Sequence, residues 1–287
     1  MINFLTSVLY VTWDVSPDIF SIGSLHIRWY SLLFVGSFIF GGWLFAKFYK
    51  REGLPQQMVD TIFFVGLLSA LIGARLGHVI FYDLESYLAE PSEIIKVWHG
   101  GLASHGGAIG LLLGIWWYVR KYGKKYNIDF LWIGDRIAIA VAFAGMAIRL
   151  GNLMNSEIYG YETTLPWGFI FVRDGQTVPH HPTQIYEALA YLAIGLMLLP
   201  LYFSKLSKKI YRGFIFGLFL VLLFGARFMI EFLKMPQDGN DAIAAQSGRL
   251  LNNGQLLSIP FIVAGVIILI WSFVAKKPLL RKPSPTD

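Results

Sequence analysis

Cysteine is absent from the 287 residues. That removes disulfides, a thiol nucleophile and thiolate metal sites, whichever compartment the loops face. Charge is scarce as well. Asp, Glu, Lys and Arg make up 15% of the chain, against roughly 25% in a soluble domain. Hydrophobic residues reach 55%, and the mean hydropathy is +0.56. This is the composition of a chain that crosses a membrane several times. The formal net charge of +6 is not a nucleic-acid footprint, because the basic residues fall in short clusters between apolar segments. No nucleic-acid partner is expected. No Lys or Arg precedes Arg28, so Met1–Trp13 lacks the basic start of a secretory signal peptide and reads as an interfacial segment. No repeat, low-complexity segment or soluble domain is present.

A spanning helix needs about 20 mostly apolar residues. Seven segments qualify, some imperfectly: roughly Trp29–Phe48, Val59–Phe81, Ser104–Val119, Phe130–Ile148, Gln184–Phe203, Gly213–Phe232 and Leu256–Ala275. Basic residues fix the orientation. Lys47, Lys50 and Arg51 follow the first span; Arg120, Lys121, Lys124 and Lys125 the third; Lys205, Lys208, Lys209 and Arg212 the fifth; Lys276, Lys277, Arg281 and Lys282 the seventh. Fifteen of the 24 basic residues therefore lie on one side, whereas the opposite loops hold Lys96, Arg173, Lys234 and Arg249. The positive-inside rule makes the basic side cytoplasmic. The expectation is an all-α polytopic protein, one integral membrane domain over residues 1–287. It has seven spans, an outer N-terminus, a cytoplasmic C-terminus and a small extracytoplasmic cap inserted at about 151–183.

Polar chemistry concentrates in Arg149-Leu-Gly-Asn-Leu-Met-Asn-Ser-Glu-Ile-Tyr-Gly160. In a helix, Arg149, Asn152 and Asn155 share a face, and Gly151 and Gly160 allow close approach. Such a cluster at the edge of lipid must face protein or a water-filled cavity. Two readings stand: a polar clamp between helices with a loop, or a site for an anionic substrate with Arg149 as a planar donor fork. Arg75 and Arg227 lie deeper, where an arginine costs about 2.5–3.5 kcal/mol to insert. Glu231 follows Arg227 by four residues, the spacing of a same-face ion pair. Arg227 is therefore either a clamp for Glu231 or a ligand group; Arg75 is read as structural. In Trp98-His-Gly-Gly-Leu-Ala-Ser-His-Gly-Gly107, His105 opens the third span between glycine pairs. It is read either as a proton acceptor or as a hydrogen-bonded histidine at a tight helix start. His180, His181 and Glu187 show no metal-ligand spacing, and no metal is expected.

These motifs fall in one order: the Arg149 stretch, the His105 turn, His181-Pro-Thr-Gln-Ile-Tyr-Glu187, Arg227 with Glu231-Phe232, and Gly254-Gln-Leu-Leu-Ser-Ile-Pro260. The order resembles that of the bacterial phosphatidylglycerol–prolipoprotein diacylglyceryl transferases, from Phe20-Ser-Ile-Gly23 to the last span. The chain departs from the family's usual pattern at Ile148 (usually Gly), Leu153 (usually Phe) and Leu223 (often Tyr).

The resemblance implies an enzyme of the bacterial inner membrane. Such an enzyme moves the diacylglyceryl group of phosphatidylglycerol to the lipobox cysteine of a preprolipoprotein signal peptide, forming a thioether and glycerol phosphate. It also implies His105, Arg149 and Arg227 as catalytic residues, and Tyr30, Asn152, Asn155, Glu157, Gly160 and Glu231 as substrate-binding residues. No cofactor is implied. Two other classes are weaker. An arginine-lined transporter would not explain the His-Gly-Gly turn and would favour duplicated spans. An intramembrane hydrolase would need a Gly-x-Ser-x-Gly or paired-Asp pattern, and neither occurs.

Overall fold

The computed structural model describes residues 10–23, 25–97, 100–236 and 250–281. Residues 1–9 of the expected interfacial segment, Trp98 and His99 of the glycine-rich turn, and the basic residues Arg249 and Lys282 lie outside the described residues. In chain order the elements are β1 (Val11–Trp13), β2 (Asp18–Ile22), β3 (Leu25–Arg28), α1 (Trp29–Arg51), α2 (Gln56–Phe81) and α3 (Leu84–Ala89). There follow α4 (Ser104–Tyr126), α5 (Phe130–Met154), β4 (Phe169–Phe171), α6 (Thr183–Phe203), α7 (Phe214–Ile230) and α8 (Asn253–Ala275).

Each of the seven apolar runs falls on a long helix. Six of these are long and apolar enough to cross a membrane: α1, α2, α5, α6, α7 with the 3-10 turn that follows it, and α8. The exception is α4. It is as long as α1, but His105 and four glycines occupy its first half, and Arg120, Lys121, Lys124 and Lys125 its last turns. The fold is mostly helical but not all-α. β1 pairs in parallel with β4, and β2 pairs antiparallel with β3.

The chain divides into two compact units: residues 1–41 with 134–279, and 42–133 with 280–287. In the first, α7 and α8 approach closely because Gly217 and Gly265 face each other. A Cβ on either would lie 2.8 Å from the other's carbonyl oxygen. Small residues at such a crossing are how helices pack where lipid supplies no hydrophobic drive. Asp135 of α5 accepts hydrogen bonds from the backbone N–H of Gly213 (2.8 Å) and Phe216 (2.9 Å), satisfying free donors at the start of α7. Its neighbour Arg136 points elsewhere, over the Tyr202 ring and to the Leu279 carbonyl. In the second unit α2 packs on α4 through Gly73 and Gly77 against Gly106 and Gly110. Glu52 accepts from the Trp132 indole at 3.0 Å and from the Arg281 N–H at 2.8 Å.

Candidate functional site

The last turns of α5 carry Arg149 and Asn152, since the helix runs six residues past the expected end at Ile148. Arg149 Nη1 donates to Asn152 Oδ1 at 3.2 Å. After Met154 the chain leaves the helix through two residues with left-handed backbone, Ser156 (φ 55°) and Ile158 (φ 64°). That conformation is costly for a β-branched residue and marks a constrained site. Its effect is to fold Glu157 back over the helix end. There Glu157 Oε1 accepts from Asn152 Nδ2 (2.7 Å) and Asn155 Nδ2 (3.1 Å). The loop is anchored from α6: Gln184 Nε2 donates to the Glu157 carbonyl at 2.7 Å and Thr183 Oγ1 to the Ile158 carbonyl at 2.9 Å. Tyr30 packs on the same helix end, where a Cβ on Gly151 would lie 2.6 Å from its ring. Arg149, Asn152, Asn155, Glu157 and Tyr30 are therefore gathered together.

A second layer of charge joins this cluster. Arg149 Nε lies 2.9 Å from Oε2 of Glu187, whose side chain is fully buried. This is an ion contact without hydrogen-bond alignment. The other oxygen of Glu187 accepts from Lys234 Nζ at 2.9 Å and from the Tyr191 hydroxyl at 3.3 Å. Lys234 Nζ also lies 3.3 Å from Glu231 Oε2. Guanidinium, carboxylate, ammonium and carboxylate thus alternate. The Glu231 carboxylate lies against Gly254 in the first turn of α8; a Cβ there would be 2.9 Å from Glu231 Oε2 and closer still to its other carboxylate atoms. Asn252 caps that helix and also donates to the Glu231 carbonyl at 3.2 Å.

The spacing of Arg227 and Glu231 invites an ion pair, but among the described residues none joins them. The α-helix ends at Ile230 and Glu231 starts a 3-10 turn, Glu231–Leu233, so the four-residue register is broken. Glu231 turns to Lys234 instead. Arg227 is half-buried and forms no hydrogen bond or ion pair among the described residues.

Behind Glu157 the loop to α6 is a compact lattice. Gly160 sits where Leu233, His181 and Thr183 leave no room for a side chain; a Cβ would lie 2.8 Å from His181 Cβ and from Thr183 Cγ2. Gly160 therefore supports the site by close packing of backbone. The Tyr159 hydroxyl donates to Asp174 and accepts from Gln176 Nε2 (2.7 Å). Burial, then the Asp174 carboxylate, pushes this phenol up to about 12. His180 is buried between the Gly160 carbonyl (2.9 Å) and Gln176 Oε1 (3.1 Å). Trp167 Nε1 donates to the Tyr186 hydroxyl at 2.9 Å, which leaves that hydroxyl's own proton for His181 Nδ1 at 3.2 Å. Burial, then the neighbouring His180, lowers the His181 pKa. No group of three or more metal-ligating side chains occurs among the described residues.

His105 belongs to the second unit. It is exposed in the first turn of α4 and has no hydrogen-bond partner among the described residues. The glycines after it serve packing. A Cβ on Gly106 would lie 2.8 Å from Gly77 Cα and closer still to the Gly73 carbonyl oxygen. The loop before His105 is organised by Arg75, as the structural reading of that residue requires. Arg75 is 4% exposed, donates to the carbonyls of Ile94 (2.9 Å), Gly100 and Gly101 (3.1 Å), and lies over the Tyr87 ring.

Sequence reasoning missed Glu187 and Lys234 as members of the site. In the sequence Glu187 stands out only as a metal candidate and within the His181–Glu187 motif, and Lys234 only as a basic residue of an outer loop.

The family model described as "Prolipoprotein diacylglyceryl transferase" matches residues 17–271. Relatives bearing the name phosphatidylglycerol–prolipoprotein diacylglyceryl transferase are similar over nearly their whole length. One from Tolumonas auensis is 44% identical, covering 91% of this chain and 96% of the relative. One from Porphyromonas gingivalis is 42% identical over 98% and 100%, and one from Chloroherpeton thalassium 41% over 96% and 98%.

Proposed function

The chain belongs to the prolipoprotein diacylglyceryl transferase family, and from that premise we propose how its residues divide the reaction. It is a transferase that moves the diacylglyceryl group of phosphatidylglycerol to a prolipoprotein. In this reading the acceptor is the lipobox cysteine thiol of the signal peptide; the enzyme has no cysteine of its own, so the thiol nucleophile comes from the substrate. The thiol gives its proton to His105. The thiolate sulfur attacks the diacylglyceryl carbon that bears the phosphate ester, and a carbon–sulfur bond forms as the carbon–oxygen bond breaks. The electron pair leaves on the phosphate oxygen, and glycerol phosphate departs.

Two demands follow. A thiol with an ordinary pKa of about 8.5 must lose its proton near neutral pH, a task for a general base. The leaving phosphate needs fixed positive charge where its own charge develops. Arg149 and Arg227 meet the second demand through charge-assisted hydrogen bonds, so the reading needs no metal or cofactor. Asn152, Asn155 and Glu157 orient Arg149 and the glycerol hydroxyls. Tyr30 lines the same helix end, Gly160 lets the supporting backbone close in, and Glu231 fixes the charge balance. The observation that carries this reading is the Arg149–Asn152–Glu157 chain of hydrogen bonds at the end of α5.

The arrangement in the cell follows from the basic clusters: a single membrane domain of seven spans counting α4, in the bacterial inner membrane. Its N-terminus is outside, its C-terminus cytoplasmic, and residues 151–183 form an extracytoplasmic cap. The test is incubation of the purified protein in detergent with phosphatidylglycerol and a lipobox peptide, followed by mass spectrometry. A peptide heavier by one diacylglyceryl group supports the reading; an unmodified peptide with intact, folded enzyme refutes it.

A further inference from the structure

Lys234 is buried, with 4% of its side chain exposed, and its ammonium sits between two carboxylates, Glu187 and Glu231. The transfer as written above has no use for it. Nor does its position explain it as a snorkelling cation, because Nζ turns inward to a carboxylate with no exposed surface. What it touches is the counterion of Arg149. Glu187 meets Arg149 through one oxygen and Lys234 through the other, each at 2.9 Å.

We propose that Lys234 is a positioning residue for the diacylglyceryl transfer, acting through Glu187 on Arg149. This rests on the reading that Arg149 receives the phosphate. The argument is electrostatic. Arg149 and Lys234 carry two positive charges, and Glu187 and Glu231 two negative ones, so the set is balanced. A lone buried carboxylate beside Arg149 would hold the guanidinium as a closed pair and offset the charge that the phosphate must meet. Lys234 takes a share of Glu187 and neutralises Glu231. Glu187 then aims Arg149 through Nε, and no surplus negative charge faces the incoming headgroup. Without the ammonium the same groups carry one net negative charge beside an anionic substrate.

The test measures KM for phosphatidylglycerol, kcat and thermal unfolding for the full-length protein in mixed micelles with a lipobox peptide. Lys234→Met is expected to raise KM about tenfold or more, because like charge now opposes the phosphate. Lys234→Arg keeps the charge and is expected to keep KM within about threefold. Glu187→Gln is expected to lower kcat, since Arg149 loses its aim, and to lower KM, since the remaining groups carry one net positive charge. The Lys234→Met/Glu187→Gln double variant restores the balance, so its KM returns toward wild type. A wild-type KM in Lys234→Met beside a disabled Arg149→Gln overturns the positioning role and leaves the phosphate reading standing. A wild-type KM and kcat in Arg149→Gln overturns the phosphate reading itself. A Lys234→Met protein that only melts lower, or whose KM the second change does not repair, has lost a structural clamp, and the proposal fails.

Discussion

The glycines after His105 have two conceivable jobs, open backbone for a ligand or close contact between helices, and one substitution separates them. In Gly106→Ala the new methyl would meet Gly77 Cα at 2.8 Å and Gly73 C at 3.2 Å, with the Gly73 carbonyl oxygen nearer still. These are backbone atoms and no rotamer change relieves them, so α2 and α4 must separate. Overpacking of this kind costs about 1–3 kcal/mol. Alanine's better helix propensity returns at most about 1 kcal/mol. Contact this close with backbone puts the cost in the upper half of that range, so the net loss is about 1–2 kcal/mol, a fall in melting temperature of roughly 2–8 °C for a chain of this size. Because His105 precedes the displaced residue, turnover falls as well; a shift of about 1 Å is worth up to about 10²-fold. Gly107→Ala is the matched control. Its methyl would meet Ala70 O and Ala74 Cβ at 3.4 Å, ordinary van der Waals contact. That variant is expected to melt with the wild type or slightly above it. The assay is thermal unfolding in detergent with turnover measured beside it. A Gly106→Ala protein as stable as wild type, or a Gly107→Ala protein that falls as far, refutes the packing argument.

Three further outcomes follow from the site. Arg149→Lys is expected to lose most activity even though charge is kept, since an ammonium cannot serve Asn152, Glu187 and a phosphate together as a planar fork does; near-normal turnover would argue against that recognition. His105→Gln is expected to lose about 10²–10⁴ in rate with folding and lipid binding intact, and to recover in part at higher pH as the substrate thiol ionises unaided; wild-type turnover at pH 7 excludes the base role. His181 has a lowered folded-state pKa, so the unfolded chain binds its proton more readily; its contribution to stability is undisturbed above the ordinary 6.5 and erodes as pH falls below it. His181→Gln should therefore flatten the acid side of a stability-against-pH curve, and an unchanged acid limb rules this out.

The helices were legible because each apolar run is long with few charged residues in it, and the signal is most diluted in α4, whose second half carries four basic residues. Arg149 and Asn152 were legible for the same reason, as a helical repeat past the end of an apolar run. What remained hidden depends on contacts between distant residues. Glu187 lies 38 positions after Arg149, and no local period links them. β1 and β4 are three residues each, too short to show alternation, and they pair across more than 150 residues. The Arg227–Glu231 spacing misled for a different reason: a four-residue period is meaningful only while the helix continues, and it stops at Ile230.

The helix ends also explain how so much charge is held beside lipid. Some charged groups of the first unit's cluster sit where the backbone dipole favours their sign. Arg227 is in the last turn of α7, and Arg149 is near the C-terminal end of α5. Glu187 lies near the start of α6, and the Glu231 carboxylate lies against Gly254 at the start of α8. The effect, roughly 0.3–1 kcal/mol, is confined to the terminal turns, so it acts on Arg227 and on Glu231 beside α8 and is weak at Arg149 and Glu187, which lie a turn further in. Glu157 is the exception: it is an acid folded over the negative end of α5. That placement is opposed by the dipole and is held by the Asn152 and Asn155 amides, with the chain bent through the left-handed Ser156 and Ile158 to reach it. A group kept against its local field by four separate devices is tightly constrained, as the orienting role proposed for it beside Arg149 requires.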